Sequence, residues 1–156
     1  VRVGHGYDVH RLMYGRELWL CGEKIDFDMG LDGHSDADVA LHALIDALLG
    51  AAALGDIGTL FPDSDPKYKG ISSMLLLKSA AQKVLDRFSV INCDITIIAQ
   101  KPRLSGYIPQ MRSNISGVLG VLPGTVNVKA TTEEKLGFTG SLEGIAAHAV
   151  CSLMQK

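Results

Sequence analysis

Residues 35–49 read SDADVALHALIDALL, and the rest of the predicted architecture is arranged around this segment. Ser35 can cap a helix, and Asp38, three residues later, takes the place of the usual Glu of a capping box. The pattern therefore predicts a helix that begins after a Ser35 cap and runs from Val39 through Leu49. This helix is apolar nearly all round, so we expect it to be buried, with a partner subunit as one candidate cover.

Strands and helices are predicted on both sides of this helix. The predicted strands are Val1–His10, Glu17–Phe27, Val90–Gln100 and Val126–Thr132, and the further predicted helices are Ser72–Arg87, Ile108–Leu119 and Leu142–Met154. Residues 50–66 are predicted to be a loop. The order ββααβαβα indicates an α/β fold, a two-layer sandwich with helices on one face of the sheet, in a single domain over residues 1–156.

The composition is typical of one globular domain. Hydrophobic residues make up 47% of the 156 residues and charged residues 21%, which excludes an intrinsically disordered chain. No apolar run approaches the roughly 20 residues of a membrane span, and the first residues lack a signal-peptide pattern, so a cytoplasmic protein is expected. The absence of a Lys/Arg run argues against nucleic-acid binding. The three widely spaced cysteines predict reduced, buried thiols.

Two histidines and a carboxylate form the first candidate site. Asp8 and His10 are two positions apart on a predicted strand, so their side chains point to the same face. His42 lies in the apolar helix, with Asp38 and Asp46 one turn away on either side. Two His and one Asp match the ligand set of a catalytic zinc with an open fourth position. The other interpretation is a set of hydrogen-bonded structural histidines, and the spacing alone leaves both open.

Two further groups could bind an anion or a second cation. His34 and Ser35 lie at the predicted helix N-terminus, where free N–H groups favour a phosphate, unless Ser35 only caps the helix. Residues 131–135, TTEEK, could hold a hard cation such as Mg²⁺ together with phosphate oxygens, and a plain polar loop is the alternative. Neither common glycine-rich phosphate loop is present, so a nucleotide would have to be held in another way.

Taken together, these stretches resemble the 2-C-methyl-D-erythritol 2,4-cyclodiphosphate synthase family of the non-mevalonate isoprenoid pathway. The similarity runs from end to end of the chain. It is carried by GHGYDVHRL, GHSDADVALHALIDALLGAAALGDIG, LFPDSDPKYKG, DITIIAQKPRL, IPQMRSNIS, VNVKATTEEKLGFTG and EGIAAHAV. The resemblance implies a mixed sheet and a homotrimer with active sites between neighbouring subunits.

The resemblance also implies roles for individual residues. The positions that match zinc (or another divalent transition metal) are Asp8, His10 and His42, and the position that matches Mg²⁺ (or Mn²⁺) is Glu134. His34 and Thr132 match residues that stabilise the transition state. The positions that match substrate contacts are Asp8, Val9, His10, His34, Ser35, Asp56, Ile57, Gly58, Phe61, Pro62, Asp63, Ser64, Asp65, Ala99, Pro102, Arg103, Leu104, Ser105, Thr131, Thr132, Glu133, Glu134, Phe138 and Ser141. We predict that Asp46 orients His42 or the metal site without being a ligand.

The implied reaction is an intramolecular phosphoryl transfer catalysed by a metal-dependent phosphorus–oxygen lyase. The 2-phosphate of 4-diphosphocytidyl-2-C-methyl-D-erythritol 2-phosphate attacks the β-phosphorus, closes a cyclic diphosphate and releases CMP. A zinc-dependent phosphohydrolase that activates water is the first alternative. The second is a non-enzymatic trimer that binds an isoprenoid diphosphate in an axial cavity. Some family members carry an Arg directly after GFTG, and Ser141 at this position weighs against that second alternative, although Phe138 is present.

Overall fold

The computed structural model describes residues 1–156, which form a mixed α/β fold as predicted. The strands are β1 (Arg2–Tyr14), β2 (Leu18–Leu20), β3 (Glu23–Ile25), β4 (Met29–Leu31), β5 (Phe88–Ile98), β6 (Val126–Thr131) and β7 (Gly144–Gln155). The helices are α1 (Val39–Ala52), α2 (Ile57–Leu60), α3 (Ser73–Leu85), α4 (Ile108–Leu119) and α5 (Gly137–Gly140), with 3₁₀ turns at Pro66–Tyr68 and Pro123–Thr125. The main sheet has the order β4-β1-β7-β5-β6, and β2 and β3 form a separate hairpin.

The last element corrects the sequence prediction, because Leu142–Met154 is not a helix. Residues Gly144–Gln155 form β7, the central strand of the main sheet, antiparallel to both β1 and β5. Its alanines favour a helix locally, but hydrogen bonds to strands on both sides outweigh that preference. This pairing places β1 in the interior of the sheet, between β4 and β7, and the residues at its even positions face the helices.

Helix α1 packs directly on β1 through two glycines. A Cβ atom on Gly4 would lie 1.9 Å from the carbonyl oxygen of Ala47, and one on Gly6 would lie 1.9 Å from that of Ala43. Only glycine allows this approach of helix and strand. The prediction that α1 is buried is confirmed, but its cover comes from its own chain: α1 contacts β1 and β7 on one side and α3 on another.

Gly6→Ala is expected to be strongly destabilising, because the added methyl group must displace a helix backbone that is held on both sides. Overpacking of this kind costs about 3 kcal/mol, at the upper end of the usual range. Gly50→Ala is the matched control, since a Cβ there meets no atom within 4 Å. Urea unfolding of the two variants measures the difference, and equal midpoints would contradict the close-packing argument.

Several local assignments also differ from prediction. Asp38, and not Ser35, is the N-cap of α1, and its carboxylate accepts from the backbone N–H of Leu41. The same buried carboxylate accepts from the N–H groups of Cys21 and Gly22, where the backbone turns between β2 and β3. The predicted strand Glu17–Phe27 is therefore a hairpin, because Cys21 and Gly22 both have positive φ. The carboxylate of Asp38 makes no hydrogen bond to the His42 side chain.

Other predicted elements are confirmed within a few residues. The strands at the start and middle of the chain, the helix capped by Ser72 and the strand β6 all form, and α4 spans the predicted residues Ile108–Leu119. The predicted loop 50–66 contains the short helix α2, and β4 was not predicted. All three thiols are free and buried, as expected. No helix has the length and apolar character that crossing a membrane requires.

One face of the main sheet is covered by helices and the other is not. Buried residues of β1 and β7 alternate with exposed ones, and the exposed set includes several apolar side chains. We call this uncovered side the open face. Its exposed apolar residues are Val3, Tyr7, Val9, Val150 and Met154, which are 67%, 45%, 42%, 42% and 46% exposed. An apolar surface of this kind on a sheet is typical of an interaction surface.

Candidate metal centre and substrate site

Asp8, His10 and His42 meet where β1 crosses the start of α1. Asp8 Oδ2 lies 2.9 Å from His10 Nε2 and 3.1 Å from His42 Nδ1, and the two ring nitrogens are 3.2 Å apart. Asp8 and His10 point to the helix side of the sheet because they are two residues apart on one strand. The three residues form the single group of His, Cys, Asp and Glu side chains in the chain whose geometry could hold a metal ion.

Hydrogen bonds on the outer side of each ring determine which nitrogens carry protons. His10 Nδ1 lies 2.8 Å from the carbonyl oxygen of Asp32, so Nδ1 carries the proton and Nε2 presents its lone pair. Ser73 Oγ donates to a carboxylate oxygen of Asp36 at 2.5 Å, so it accepts from His42 Nε2–H at 2.9 Å. His42 Nδ1 therefore also presents a lone pair. Two lone pairs and a carboxylate oxygen converge on one point, an arrangement that a cation satisfies.

The electrostatics of the cluster agree with this arrangement. Burial alone would raise the pKa of Asp8, but without a cation the facing ring nitrogens of His10 and His42 can take up protons and donate to Asp8, and these hydrogen bonds and charges outweigh burial and hold the pKa below its ordinary value. Burial alone would lower the pKa of His10, whereas the hydrogen bond that its protonated ring donates to Asp8, together with the negative charge of that carboxylate, raises the pKa above its ordinary value. The carboxylate is thus ionised, and in the absence of a cation the neighbouring imidazole takes up a proton more readily than usual.

Metal binding is therefore expected to displace protons from this cluster. Because a ligating imidazole must be neutral and His10 has a raised pKa, the affinity for Zn²⁺ should begin to fall above the ordinary imidazole range, as the pH drops through the raised pKa, and should keep falling below it. Calorimetric titration with Zn²⁺ in buffers of different ionisation enthalpy measures the number of protons released. A binding enthalpy that does not depend on the buffer near neutral pH would contradict the assignment.

The Asp36–Ser73–His42 chain is a feature that sequence reasoning missed. Asp46 was predicted to orient His42 or the metal site, but a carboxylate oxygen of Asp46 accepts a hydrogen bond from the backbone N–H of Ile57 at 2.7 Å. The Asp46 carboxylate therefore holds the start of α2 beside the site and makes no hydrogen bond to the His42 ring. Ser73 is the first residue of α3 and gives no signal in the local sequence, since only the packing of α3 on α1 brings it to the imidazole.

Ser73→Ala is expected to weaken metal binding or turnover by about 10–100-fold, because His42 Nε2–H then loses the acceptor that orients the ring. Asp46→Asn is the matched comparison and should affect the α2 loop more than the metal. Zinc affinity, measured by competition with a chelator, separates the two variants. A wild-type affinity in Ser73→Ala would show that the ring is held by other contacts.

A cavity of about 220 Å³ opens beside the cluster. His34 and Ser35 lie on its wall, as predicted for phosphate contacts, and α2 and the following loop close another side. The predicted site residues that line this cavity are Asp8, His10, His34, Ser35, His42, Ile57, Gly58, Phe61 and Asp63, and Gly33, Tyr68 and Leu76 complete it. Asp56 caps α2, and Asp65 caps the following 3₁₀ turn. These two carboxylates thus shape the loop from outside the cavity, whose lining also lacks Pro62 and Ser64.

A second cavity, of about 410 Å³, lies at the ends of β5 and β6. The predicted site residues that line it are Ala99, Pro102, Arg103, Leu104, Ser105, Thr131 and Thr132, joined by Gln100, Lys101, Ile108 and Ala130. Because β5 and β6 are parallel, both of their carboxyl ends contribute to the same edge of the sheet. This cavity shares no lining residue with the first, so Thr132 does not face the Asp8–His10–His42 cluster within one chain.

The remaining predicted residues lie after β6 or on the open face. Glu134 is exposed, has a φ of 53° and donates its backbone N–H to Thr132 Oγ1. Glu133 accepts a hydrogen bond from Thr139. Phe138 and Val9 border a third cavity of about 350 Å³ on the open face, whereas Ser141 is absent from its lining and donates to the Gly137 carbonyl oxygen. None of these residues reaches the metal cluster of its own chain.

The fold and the site together define a class of protein, an α/β enzyme with a candidate metal centre beside a phosphate-sized cavity and a second, larger cavity elsewhere on the chain. The comparisons with known proteins make the assignment specific. The YgbB family model matches residues 1–154, and the chain belongs to the YgbB family. The resemblance inferred from the sequence motifs is thereby confirmed.

Named relatives agree with this assignment. The chain is 58% identical to the 2-C-methyl-D-erythritol 2,4-cyclodiphosphate synthase of Agathobacter rectalis, over 98% of this chain and 87% of that protein. It is also 58% identical to the bifunctional enzyme IspD/IspF of Campylobacter curvus, over 97% of this chain but only 41% of that longer enzyme. A solved structure of a 2C-methyl-D-erythritol-2,4-cyclodiphosphate synthase in its CDP-bound form is 36% identical, with a TM-score of 0.89 over 98% of this chain and 100% of that one.

Proposed function

We propose that this chain cyclises 4-diphosphocytidyl-2-C-methyl-D-erythritol 2-phosphate to 2-C-methyl-D-erythritol 2,4-cyclodiphosphate and releases CMP. The observation that carries the proposal is the convergence of two imidazole lone pairs and the Asp8 carboxylate beside a phosphate-sized cavity. Family membership supports the same reaction, since the relatives named above are synthases of this cyclic diphosphate. Free and buried thiols support a cytoplasmic location as part of the proposal.

The reaction joins two phosphates of one molecule. An oxygen of the 2-phosphate forms a bond to the β-phosphorus, and the bond from that phosphorus to the oxygen of the leaving CMP breaks. When bound by Asp8, His10 and His42, Zn²⁺ would neutralise charge on the phosphate under attack. Because nucleophile and electrophile belong to one substrate, the chain's own contribution is chiefly orientation and the exclusion of water.

The first cavity provides both of these functions. The hydroxyl of Ser35, 3.2 Å from His42 Nε2, offers a hydrogen-bond donor on the phosphate side, and the imidazole of His34 lies on the same wall, with Nε2 3.3 Å from the Asp65 carbonyl oxygen. Ile57, Phe61 and Leu76 form an apolar wall that limits access of water to the reacting phosphorus. These roles agree with transition-state stabilisation by His34 and explain why no nucleophilic side chain is needed.

The second cavity is proposed to hold the cytidine part of the substrate. CDP is bound by a structurally similar relative, and a volume of about 410 Å³ suits a nucleoside. Lys101 and Arg103 lie on the wall of this cavity and can neutralise a diphosphate, while Ala99, Pro102 and Leu104 provide an apolar floor for the base. Glu134 next to Thr132 is proposed as the ligand of Mg²⁺ or Mn²⁺, shared with phosphate oxygens of the substrate.

We propose that three copies of this chain assemble through their open faces and that each active site is shared by two of them. Two observations support this assembly. The open face exposes apolar side chains that a second copy would bury. The metal cluster and Thr132 face different cavities within one chain, so a complete site needs a neighbour to supply the missing half.

A turnover assay with the cytidine substrate, followed by phosphorus NMR in water enriched in oxygen-18, tests the proposed reaction. The expected products are CMP and a cyclic diphosphate that contains no solvent oxygen. A linear phosphate that carries oxygen-18 would instead identify the chain as a metal-dependent phosphohydrolase.

Glu134→Gln should shift the Mg²⁺ activation curve to higher concentration in the same assay, with zinc content unchanged.

A further inference from the structure

Two of the five histidines in the chain lie outside the site described above. They are His5 on β1 and His148 on β7, which are 143 residues apart in sequence. The antiparallel pairing of β1 with β7 brings them together on the open face, where His5 Nε2 lies 3.0 Å from His148 Nδ1. Their ring centroids are 5.2 Å apart. The fold thus creates a second pair of imidazoles from two segments that are distant in sequence.

The neighbours of this pair leave the ring nitrogens available. Tyr7 packs against His148 with ring centroids 4.8 Å apart, an aromatic contact that uses the face of the imidazole and leaves its edge open. The nearest carboxylate in the adjacent row of the sheet is Asp94, opposite Val150, which is in turn opposite His5. Asp94 is already paired with Lys129 and hydrogen-bonded by Asn127. No acid or base of the open face therefore makes a hydrogen bond or ion pair with His5 or His148.

The nitrogen-to-nitrogen distance is that of two ligands on one metal ion. Two nitrogens about 2.1 Å from an ion lie about 3.0 Å apart at a right angle and about 3.4 Å apart in a tetrahedron. The observed 3.0 Å matches the right-angled arrangement of Ni²⁺ or Cu²⁺, and a small ring rotation reaches that of Zn²⁺. A single hydrogen bond between two partly exposed imidazoles contributes little, because water competes for both partners.

We propose that His5 and His148 form a second transition-metal site, distinct from the Asp8–His10–His42 cluster. Two imidazoles from adjacent strands provide two ligands, and water completes the coordination in one chain. The site does not rest on the proposed reaction, since neither histidine lines the cavities assigned to the substrate. In the proposed assembly, equivalent pairs from other copies could replace water, which would change the stoichiometry and not the ligand type.

A bound ion at this place would link β1 to β7 at the centre of the sheet. Because the two histidines are adjacent only in the folded state, the ion would bind the folded chain in preference to the unfolded chain and raise the melting temperature. The consequence is a stabilising site that depends on metal and leaves the chemistry of the first cavity unchanged.

Nickel titration of the full chain, without an affinity tag, tests the proposal. The measurement is made in a His42→Ala background, which removes the first metal cluster, and compares added His5→Ala, His148→Ala and Thr96→Ala. Thr96 is the matched control because it pairs with His148 from β5 on the same face. Each histidine substitution is expected to weaken Ni²⁺ binding at least about tenfold, since one imidazole alone loses the chelating effect of its neighbour, whereas Thr96→Ala should bind as the background does.

Two further measurements make the test decisive. Anomalous diffraction at the nickel edge should place an ion in contact with both ring nitrogens, at one ion per chain or one per three chains. The same histidine substitutions in the zinc-loaded wild-type background should leave the zinc content of the Asp8–His10–His42 cluster unchanged while removing the nickel-dependent rise in melting temperature. The proposal would be overturned by equal Ni²⁺ affinity in all three variants, or by an anomalous peak found only at some other place. If His148→Ala prevents folding, His148→Gln takes its place.

Discussion

His42→Ala is expected to abolish stoichiometric zinc binding and to lower turnover by more than about 100-fold, because residues that only orient a metal ligand are already worth about 10–100-fold. His42 Nδ1 is one of three acceptor atoms that converge on the cluster, and two ligands hold an ion far less well than three. The helix itself should persist, since alanine has the highest helix propensity and α1 is buried on most sides by its own chain.

Metal analysis of the purified variant, together with circular dichroism, measures both parts of this expectation. His148→Ala is the matched control, because it removes an imidazole from the chain without touching the first cavity. Zinc retained at one equivalent per chain in His42→Ala would show that the cluster is not the zinc site. A lost helical signal would instead mean that the imidazole contributes mainly to folding.

Chains carrying His42→Ala and chains carrying Glu134→Ala, each inactive alone, are expected to regain activity when they are unfolded together and reassembled. The zinc half of the proposed site lies on β1 and α1, whereas Thr132 and Glu134 lie after β6 beside a different cavity. If subunits mix randomly at equal ratio in a three-fold ring, roughly a quarter of the interfaces pair two intact halves. Mixed assemblies should therefore recover about a quarter of the wild-type activity.

The control for this experiment is reassembly of each variant with itself, which should stay inactive. A mixture of His42→Ala with Ser73→Ala adds a second control. Both changes affect the zinc half of the site, so no interface can combine an intact zinc half with an intact Thr132/Glu134 half. Activity in the first mixture no higher than in either parent would refute a site shared between chains. The oligomeric state of every sample, measured by light scattering, shows whether assembly took place.

Local sequence patterns were enough for the elements whose stability is largely local. Helix α4 begins and ends where predicted, because Pro109 suits its first turn and Gly120 adopts the left-handed conformation that ends it. Ser72 caps α3 as expected. The candidate metal ligands Asp8 and His10 could also be predicted, since residues two positions apart on a strand share a face. Each of these features depends on neighbours a few residues away, so it can be predicted from the local sequence.

Other features depended on partners that are distant in the chain. The segment Gly144–Gln155 is rich in alanine and is a strand only because β1 and β5 hydrogen-bond to it on both sides. Asp38 is one helical turn from His42 in the sequence, but its carboxylate accepts hydrogen bonds from the backbone N–H groups of Cys21 and Gly22, because an unpaired carboxylate at a buried position would be costly. In both cases the long-range contact outweighs the local preference.

By itself, the sequence determined the α/β class, which is expressed in composition and periodicity, and the family, whose motifs also supplied the candidate residues for metal and phosphate. Only the tertiary structure decided that Ser73 orients His42, that the two halves of the site face different cavities, and that His5 meets His148. The physical reason is that hydrogen-bond geometry and the pairing of strands depend on contacts between residues separated by tens of positions. Such contacts leave no trace in the local pattern of either partner.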